Sequence, residues 1–310
     1  MTSIKPPRLN TGDTVALISV SHPVPSQKHL DRMLACIESF GLNAVTGKSA
    51  TFGDGSQPAP AALRLSDLNW AIRDENSKGI LCAWGGGQAE ELLPDIDYDA
   101  FLRSPKPFVG LSDPSYIVTA LQSRTGVVTF HGPTGCDFAD PAGLDAYSRE
   151  SFVSALFHSE PVGVLPAHSK WEIKQQGQAT GRLIGGNLAR TVNLAGTPYE
   201  PDWSGSILMW EVVTWNIHGI ISEILKLKNA GVLDCISGMI VACPLDQSCP
   251  AEPRDWDEIL SVCANHDFPI VANVDCGHAS PKLTLPIGAT VELNLEDTSP
   301  TISVLEAGVA

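Results

Sequence analysis

Four short segments of this 310-residue chain place nucleophiles, acids, bases or bare backbone where chemistry could use them. Ser112 stands in Val109-Gly110-Leu111-Ser112-Asp113, between an apolar run and a helical pattern. A serine on a tight strand-to-helix turn is held exposed, and the first amides of the following helix can donate to a developing oxyanion. The second glycine of the G-x-S-x-G elbow is missing, and Ser112 or Asp113 ahead of Pro114 equally suits a plain helix cap. Trp84-Gly85-Gly86-Gly87 lets backbone approach a ligand closely with unshielded N–H groups. It is neither a Walker loop nor G-x-G-x-x-G, and reads as an oxyanion-hole loop or as a structural turn. Glu211 ends the apolar run Ile207-Leu208-Met209-Trp210, where a carboxylate could orient a histidine or simply face solvent. His278, in Asp275-Cys276-Gly277-His278, follows another apolar run and is placed as a general base; the plainer reading is one structural histidine among eight. Asp275, Cys276 and His278 match no standard zinc spacing, so no metal is expected. A thiol nucleophile at Cys276 competes with a small buried side chain.

These segments need elements to hold them. The apolar run 14–20 ends in Ser-His-Pro, a strand running into a loop. Residues 27–40 carry Leu30, Met33, Leu34, Ile37 and Phe40 at helical spacing up to Gly41; residues 61–74 carry Leu65, Leu68, Asn69 and Ile72 on one stripe. Strands at 79–83 and 108–110 deliver the chain into the glycine loop and the Ser112 turn, and 114–123 reads as a helix. This alternation predicts an α/β domain over 1–160 with a mostly parallel sheet, carrying Ser112. Residues 161–180, polar and without periodicity, are expected to link domains. Residues 181–310 hold β-like runs at 206–209, 238–243, 269–274, 290–294 and 301–305 around one clear helix at 219–230, a second α/β domain richer in β structure. Residues 246–257, with their prolines and acids, read as a solvated loop, and Trp203, Trp210 and Trp215 as packing residues.

Lys and Arg number 20 against 35 Asp and Glu, a net charge of −15. Such a chain lacks the basic footprint that nucleic-acid backbones and anionic membrane surfaces require, so neither is an expected partner. No apolar stretch approaches the ~18 residues that span a bilayer, and no secretory signal is expected from the first dozen residues. Eight scattered cysteines without a CxxC pair make no disulfide scaffold, and a soluble protein of a reducing, cytoplasmic compartment is the simplest reading.

Seven blocks occur together in order: Gly12-Asp13-Thr14-Val15-Ala16; Gly85-Gly86 with Leu92-Leu93-Pro94-Asp95-Ile96-Asp97-Tyr98-Asp99; Val109 to Asp113; Thr129-Phe130-His131-Gly132-Pro133; Gly181-Arg182-Leu183-Ile184-Gly185-Gly186-Asn187-Leu188; Ile207 to Glu211; and Asp275 to His278 with Leu285-Pro286-Ile287-Gly288. On these blocks the chain resembles the LD-carboxypeptidase (muramoyltetrapeptide carboxypeptidase) family of serine peptidases, and looks most like the branch holding the microcin C self-immunity peptidase. The resemblance implies a flavodoxin- or Rossmann-like parallel-sheet domain, a β-rich α/β domain of swivelling type, and an active site in the cleft between them. It implies a triad of Ser112 as nucleophile, His278 as base and Glu211 orienting it. Backbone N–H groups of Gly86 and Asp113 would form the oxyanion hole, and Gly85, Trp84 and Asn187 would meet a small-molecule or short-peptide substrate. No cofactor is implied, and a homodimer is. Trp84 stands where cell-wall enzymes of the family commonly have Arg, Val212 follows Glu211 where the family usually has Asp, and the stretch after 161 is short, with only Trp171 and Glu172 of the immunity branch's acidic, tryptophan-bearing loop. The expected activity is hydrolysis of an LD-peptide, a peptidyl or aminoacyl nucleotide or a related amide. Transfer of the same acyl group to an amine, or a silent binding protein, stands as the alternative.

Overall fold

In the computed structural model, which describes residues 3–214, 216–243 and 253–310, short apolar runs alternate with helices through the first half. Strands β1 (Thr14–Ile18), β2 (Asn43–Thr46), β3 (Ser77–Cys82), β4 (Phe108–Gly110) and β5 (Thr129–His131) are parallel, in the order β5-β4-β3-β1-β2. The central three are almost wholly buried, which is why they read as unbroken apolar runs. Helices α1 (Gln27–Glu38), α2 (Ala61–Arg73), α3 (Tyr98–Arg103) and α4 (Ser115–Thr125) fill the crossovers, and α5 (Gly135–Phe138) and α6 (Ala146–Phe157) follow β5. Helix α1 buries Leu30, Met33 and Ile37, the stripe its spacing predicts. Helix α4 is different. Residues 115–122 are buried all round, because α4 lies between the first sheet and elements of the second half. The strand order is that of flavodoxin-like sheets, whose ligands bind beyond the carboxyl ends of the strands where the order reverses, here between β1 and β3.

The second half builds an eight-stranded mixed sheet. Its elements are β6 (Gly163–Val164), β7 (Glu172–Gln175), β8 (Gln178–Asn187), α7 (Leu188–Leu194), β9 (Ile207–Glu211), α8 (Ile217–Asn229), β10 (Gly238–Ala242), α9 (Pro253–Cys263), β11 (Ile270–Val274), β13 (Thr290–Asn294) and β14 (Thr301–Val304), with β12 (Leu285–Ile287) placed elsewhere. The order is β6-β14-β13-β8-β9-β10-β11-β7, with β8 to β11 parallel and the flanking strands antiparallel. Residues 161–180, expected only to link, thus carry β6, β7 and the start of β8. Strand β8 changes partner midway: residues 178–182 pair with β13 and residues 183–187 with β9. Strand β12 crosses back and pairs antiparallel with β5, Leu285 opposite His131, at the edge of the first sheet.

Within 246–257 the solvated loop is corrected from Pro253 onward, where α9 begins; residues 244–252 and Trp215 lie outside the described residues. Proline suits a first helical turn, and Trp256, Ile259, Val262 and Cys263 recur at helical spacing and are buried. Trp203 and Trp210 are buried as packing residues. Among the described residues no helix is long and apolar enough to cross a membrane, and the seven cysteines form no disulfide, Cys249 lying outside that set.

One apolar cluster runs through both halves, joining Ile80, Phe108, Ile117 and Leu121 to Leu183, Met209, Ile240 and Leu285. Leu121 on α4 has no exposure, whereas Leu225 on α8 is 40% exposed. Leu121→Ala should therefore lower the unfolding free energy by about 2–5 kcal/mol in urea titrations. Leu225→Ala should stay within about 0.5 kcal/mol of the parent. A small loss at Leu121 would mean that α4 does not tie the apolar cluster of the two halves together.

Candidate active site

Strand β4 hands the chain to α4 through Leu111, Ser112, Asp113 and Pro114. Ser112 sits at φ +71°, a left-handed conformation uncommon outside glycine and found where surrounding structure enforces it. The Asp113 side chain does much of the enforcing. Its carboxylate, without solvent exposure, accepts from Ser21 Oγ at 2.6 Å, the Ala89 amide at 2.9 Å and Arg190 Nε at 3.2 Å. Those donors come from the loop after β1, the end of the glycine loop and α7. The Ser112 carbonyl accepts the Ser115 amide at 3.0 Å, and Ser115 Oγ in turn accepts the Asn187 amide at 3.2 Å.

The glycine loop after β3 lies directly beside this turn: a Cβ at Gly85 would come 3.2 Å from Ser112 Oγ. The loop is held at four residues. Gly85 O accepts the His22 amide at 3.1 Å, Gly86 O accepts Arg190 Nη2 at 3.3 Å, Gln88 O accepts the buried Arg64 Nη1 at 2.8 Å, and Ala89 donates to Asp113. Gly86, at φ +134°, is required as glycine, since a Cβ there would lie 2.3 Å from His22 Cδ2. Trp84 packs against the α1-side core and meets His29 edge-on, ring centroids 5.9 Å apart.

From the second half come Glu211, at the end of β9, and His278, in the loop after β11. Glu211 is fully buried, not solvated as a strand terminus would be. Its Oε2 lies 2.6 Å from His278 Nδ1, and its Oε1 accepts Asn187 Nδ2 at 3.0 Å. Burial pushes the Glu211 carboxyl up, but the hydrogen bond and charge of His278, the neighbouring His131 and the Asn187 amide outweigh it, holding the group below its ordinary value. His131, at the end of β5, is also fully buried, and neither ring nitrogen has a partner among the described residues. Burial pushes its pKa down to about 4 against the opposing pull of Glu211, so the ring is neutral. A cavity of about 350 Å³ opens against the loop that carries His278, lined by Asp275, Ala279, Ser280 and Pro281 and by His168, Ser169 and Cys243.

The other sequence candidates fall into place around this centre. Asp275 is a staple: its carboxylate accepts the amides of His168 and Ser169 and Trp171 Nε1 at 2.8 Å. Cys276 is fully buried, its thiol raised well above its ordinary pKa by burial and by the charges of Asp275 and Glu211, the state of an inert structural cysteine. Among the described residues no group of three His, Cys, Asp or Glu is arranged to hold a metal. Sequence reasoning passed over Ser21, His22, Arg64 and Arg190, and gave His131 no role. The usable signal for Arg190 was its position three residues after Asn187, which a helix puts on the same face.

Family models for the LD-carboxypeptidase N-terminal domain and the LD-carboxypeptidase C-terminal domain match residues 15–132 and 180–293. The chain is 31% identical to a probable murein peptide carboxypeptidase of Bacillus subtilis (strain 168), over 99% of this chain and 95% of that one. It is 27% identical to the microcin C7 self-immunity protein MccF of Escherichia coli, over 96% and 94%. The crystal structure of an MccF-like protein from Bacillus anthracis str. Ames shares the fold with a TM-score of 0.90 at 26% identity, covering 97% of this chain and 99% of that one. The class these matches define is a two-domain α/β peptidase. The chain belongs to the LD-carboxypeptidase family.

The burial of neutral His131 sets a pH dependence of stability. Its folded pKa, about 4, lies below the unfolded value near 6.5, so between those values the unfolded chain binds the extra proton. Its neutral burial therefore costs nothing extra above about pH 6.5, and stability falls as pH drops towards 4. From pH 7 to pH 5 the loss assigned to this one residue is about 2 kcal/mol. Urea titrations of His131→Gln should show a curve flatter by that amount, and an unchanged pH slope would rule His131 out as its source.

Proposed function

We propose that the protein is a serine peptidase that cleaves an amide through an acyl-enzyme on Ser112, with His278 as general base and Glu211 orienting it. The observation that carries this reading is the 2.6 Å bond from His278 Nδ1 to a carboxylate without solvent exposure. A carboxylate on Nδ1 fixes the tautomer, directs Nε2 to the serine and stabilises the imidazolium that forms. Nε2 takes the Ser112 hydroxyl proton as Oγ attacks the carbonyl carbon. The tetrahedral intermediate collapses, and the leaving amine departs with that proton. Water then repeats the sequence on the acyl-enzyme, releasing the acid and free Ser112. Ser112 and His278 share no hydrogen bond among the described residues; such bonds commonly tighten only with substrate in place.

The N–H groups of Gly86 and Asp113 reach no protein acceptor among the described residues, which supports their assignment as oxyanion donors. Gly85 and Trp84 on one side and Asn187 on the other are the proposed substrate contacts. The proposed substrate is a short murein-type peptide with an L,D amide near its free C-terminus, on the strength of the murein peptide relative. An aminoacyl or peptidyl nucleotide is the competing substrate, given the MccF relative. A cytoplasmic homodimer is part of the same proposal, supported by the family likeness alone.

A fluorophosphonate probe should modify Ser112, mapped by mass spectrometry, and should leave Ser112→Ala and His278→Ala unmodified. With a murein tetrapeptide, D-alanine release should fall at least ~10⁴-fold in Ser112→Ala and ~10³–10⁴-fold in Glu211→Gln. Turnover that survives in Ser112→Ala would remove the serine mechanism. Turnover of an aminoacyl nucleotide but not of the tetrapeptide would keep the mechanism and change the substrate.

A further inference from the structure

Arg190 reaches from α7 across to the first half, where its planar fork meets both halves of the proposed oxyanion hole. Nε donates to the Asp113 carboxylate at 3.2 Å and Nη2 to the Gly86 carbonyl at 3.3 Å, with the guanidinium carbon 6.0 Å from the Tyr116 ring centroid. Among the described residues no other cation bonds to either residue. We propose that Arg190 is a positioning residue that sets the spacing between the oxyanion donors Gly86 N–H and Asp113 N–H. The inference rests on the assignment of those donors above.

The physical case turns on how little else holds Gly86. A glycine at φ +134° has more backbone freedom than any other residue. Two peptide planes flank its Cα. The plane that carries the Gly86 N–H is fixed at its other end, where Gly85 O accepts the His22 amide at 3.1 Å. The following plane is fixed by Arg190 on Gly86 O. With both planes held, the direction of the N–H is set. The same guanidinium grips Asp113, whose carboxylate is already tied to Ser21 and Ala89. One rigid fork therefore ties the two donors to a common reference. A lysine carries the same charge but is a point donor on a flexible stem and cannot reproduce the fork. Donors act only when they lie about 2.7–3.1 Å from the developing oxyanion, and misplacement by ~1 Å can cost ~10²-fold in rate.

The fluorophosphonate reaction tests this without a known substrate. Ser112 Oγ bonds to phosphorus, fluoride leaves, the serine proton passes to His278, and the phosphoryl oxygen occupies the oxyanion position. Its maximal rate and its half-saturating concentration would be measured separately in wild type, Arg190→Gln and Arg190→Lys, with thermal melts confirming that each is folded at the assay temperature. The expected result is a maximal rate lowered ~10–100-fold in Arg190→Gln, half-saturation within about twofold, and Arg190→Lys lowered nearly as far. A wild-type rate in Arg190→Lys would show that charge alone suffices and would overturn the bridge. An undiminished rate in Arg190→Gln would overturn it too, and would fit an arginine that serves a substrate carboxylate, which this probe lacks. Should Arg190→Gln not fold, Arg190→Lys decides alone. Absence of a Ser112 adduct in wild type would instead sink the serine-peptidase reading itself, a distinct outcome.

Discussion

A buried carboxylate must be met by donors, and Asp113 is the point at which this chain meets that demand. With no solvent to share the charge, leaving any of its three donors unmade would expose a large desolvation cost. Ser21, Ala89 and Arg190 arrive from the loop after β1, the loop after β3 and α7. Those first two loops flank the switch in strand order, where flavodoxin-like sheets place their ligands. Satisfying Asp113 thus draws the glycine loop, the β1 exit and the second half onto the turn that bears Ser112. The left-handed conformation at Ser112 is sustained by the same contacts, for nothing in a serine favours it locally.

The second buried carboxylate, Glu211, is satisfied differently, and the difference separates two histidines. Glu211 spends one oxygen on the Asn187 amide and the other on His278, so that its charge is opposed chiefly from the ring it holds. His278 keeps part of its ring exposed, with 16% of the side chain accessible. His131 lies near the same charge but is sealed, without a hydrogen-bond partner among the described residues, and its ring stays neutral. Environment, more than residue type, divides the proposed base from the sealed histidine.

Legibility in the sequence followed the range of the forces involved. The Ser112 turn, the glycine loop, α1 and the central strands are set by local spacing, capping and apolar runs, and could be read directly. Strand β8 could not. It contains Gly181, Gly185 and Gly186, poor strand formers, and it splits its pairing between β13 and β9, so no single period marks it. Strand β12 is three residues long with a central proline, a pattern that only an edge position tolerates. Helix α9 was hidden because its opening proline and acids resemble a loop until the apolar repeat behind them is counted. The candidate site was legible as residue types, with Ser112, Glu211 and His278 marked as chemistry. The contacts that position it were not, because Arg190, Arg64 and Ser21 are ordinary polar residues whose partners lie far off in sequence.

The placement of β12 bears on how the two halves share one site. His278 stands on the stretch between β11, in the second sheet, and β12, in the first. Along that stretch Lys282 donates through Nζ to Asp137 on α5 and to the His278 carbonyl, its amide donates to Ser148, and the Thr284 amide donates to Ser151 on α6. The loop bearing the imidazole is therefore fastened to the same sheet that carries Ser112, while Glu211 reaches the ring from the other side. Were His278 held by the second half alone, any rocking of one sheet against the other would change the separation of serine and imidazole directly. With the loop stitched to the first half, such motion would act first on the Glu211–His278 bond, which a charged buried carboxylate resists losing. The apolar cluster shared through α4 opposes the same motion. The separation of Ser112 and His278 is in this way made to depend on contacts within the first half, and the second half supplies the buried carboxylate that meets the imidazole.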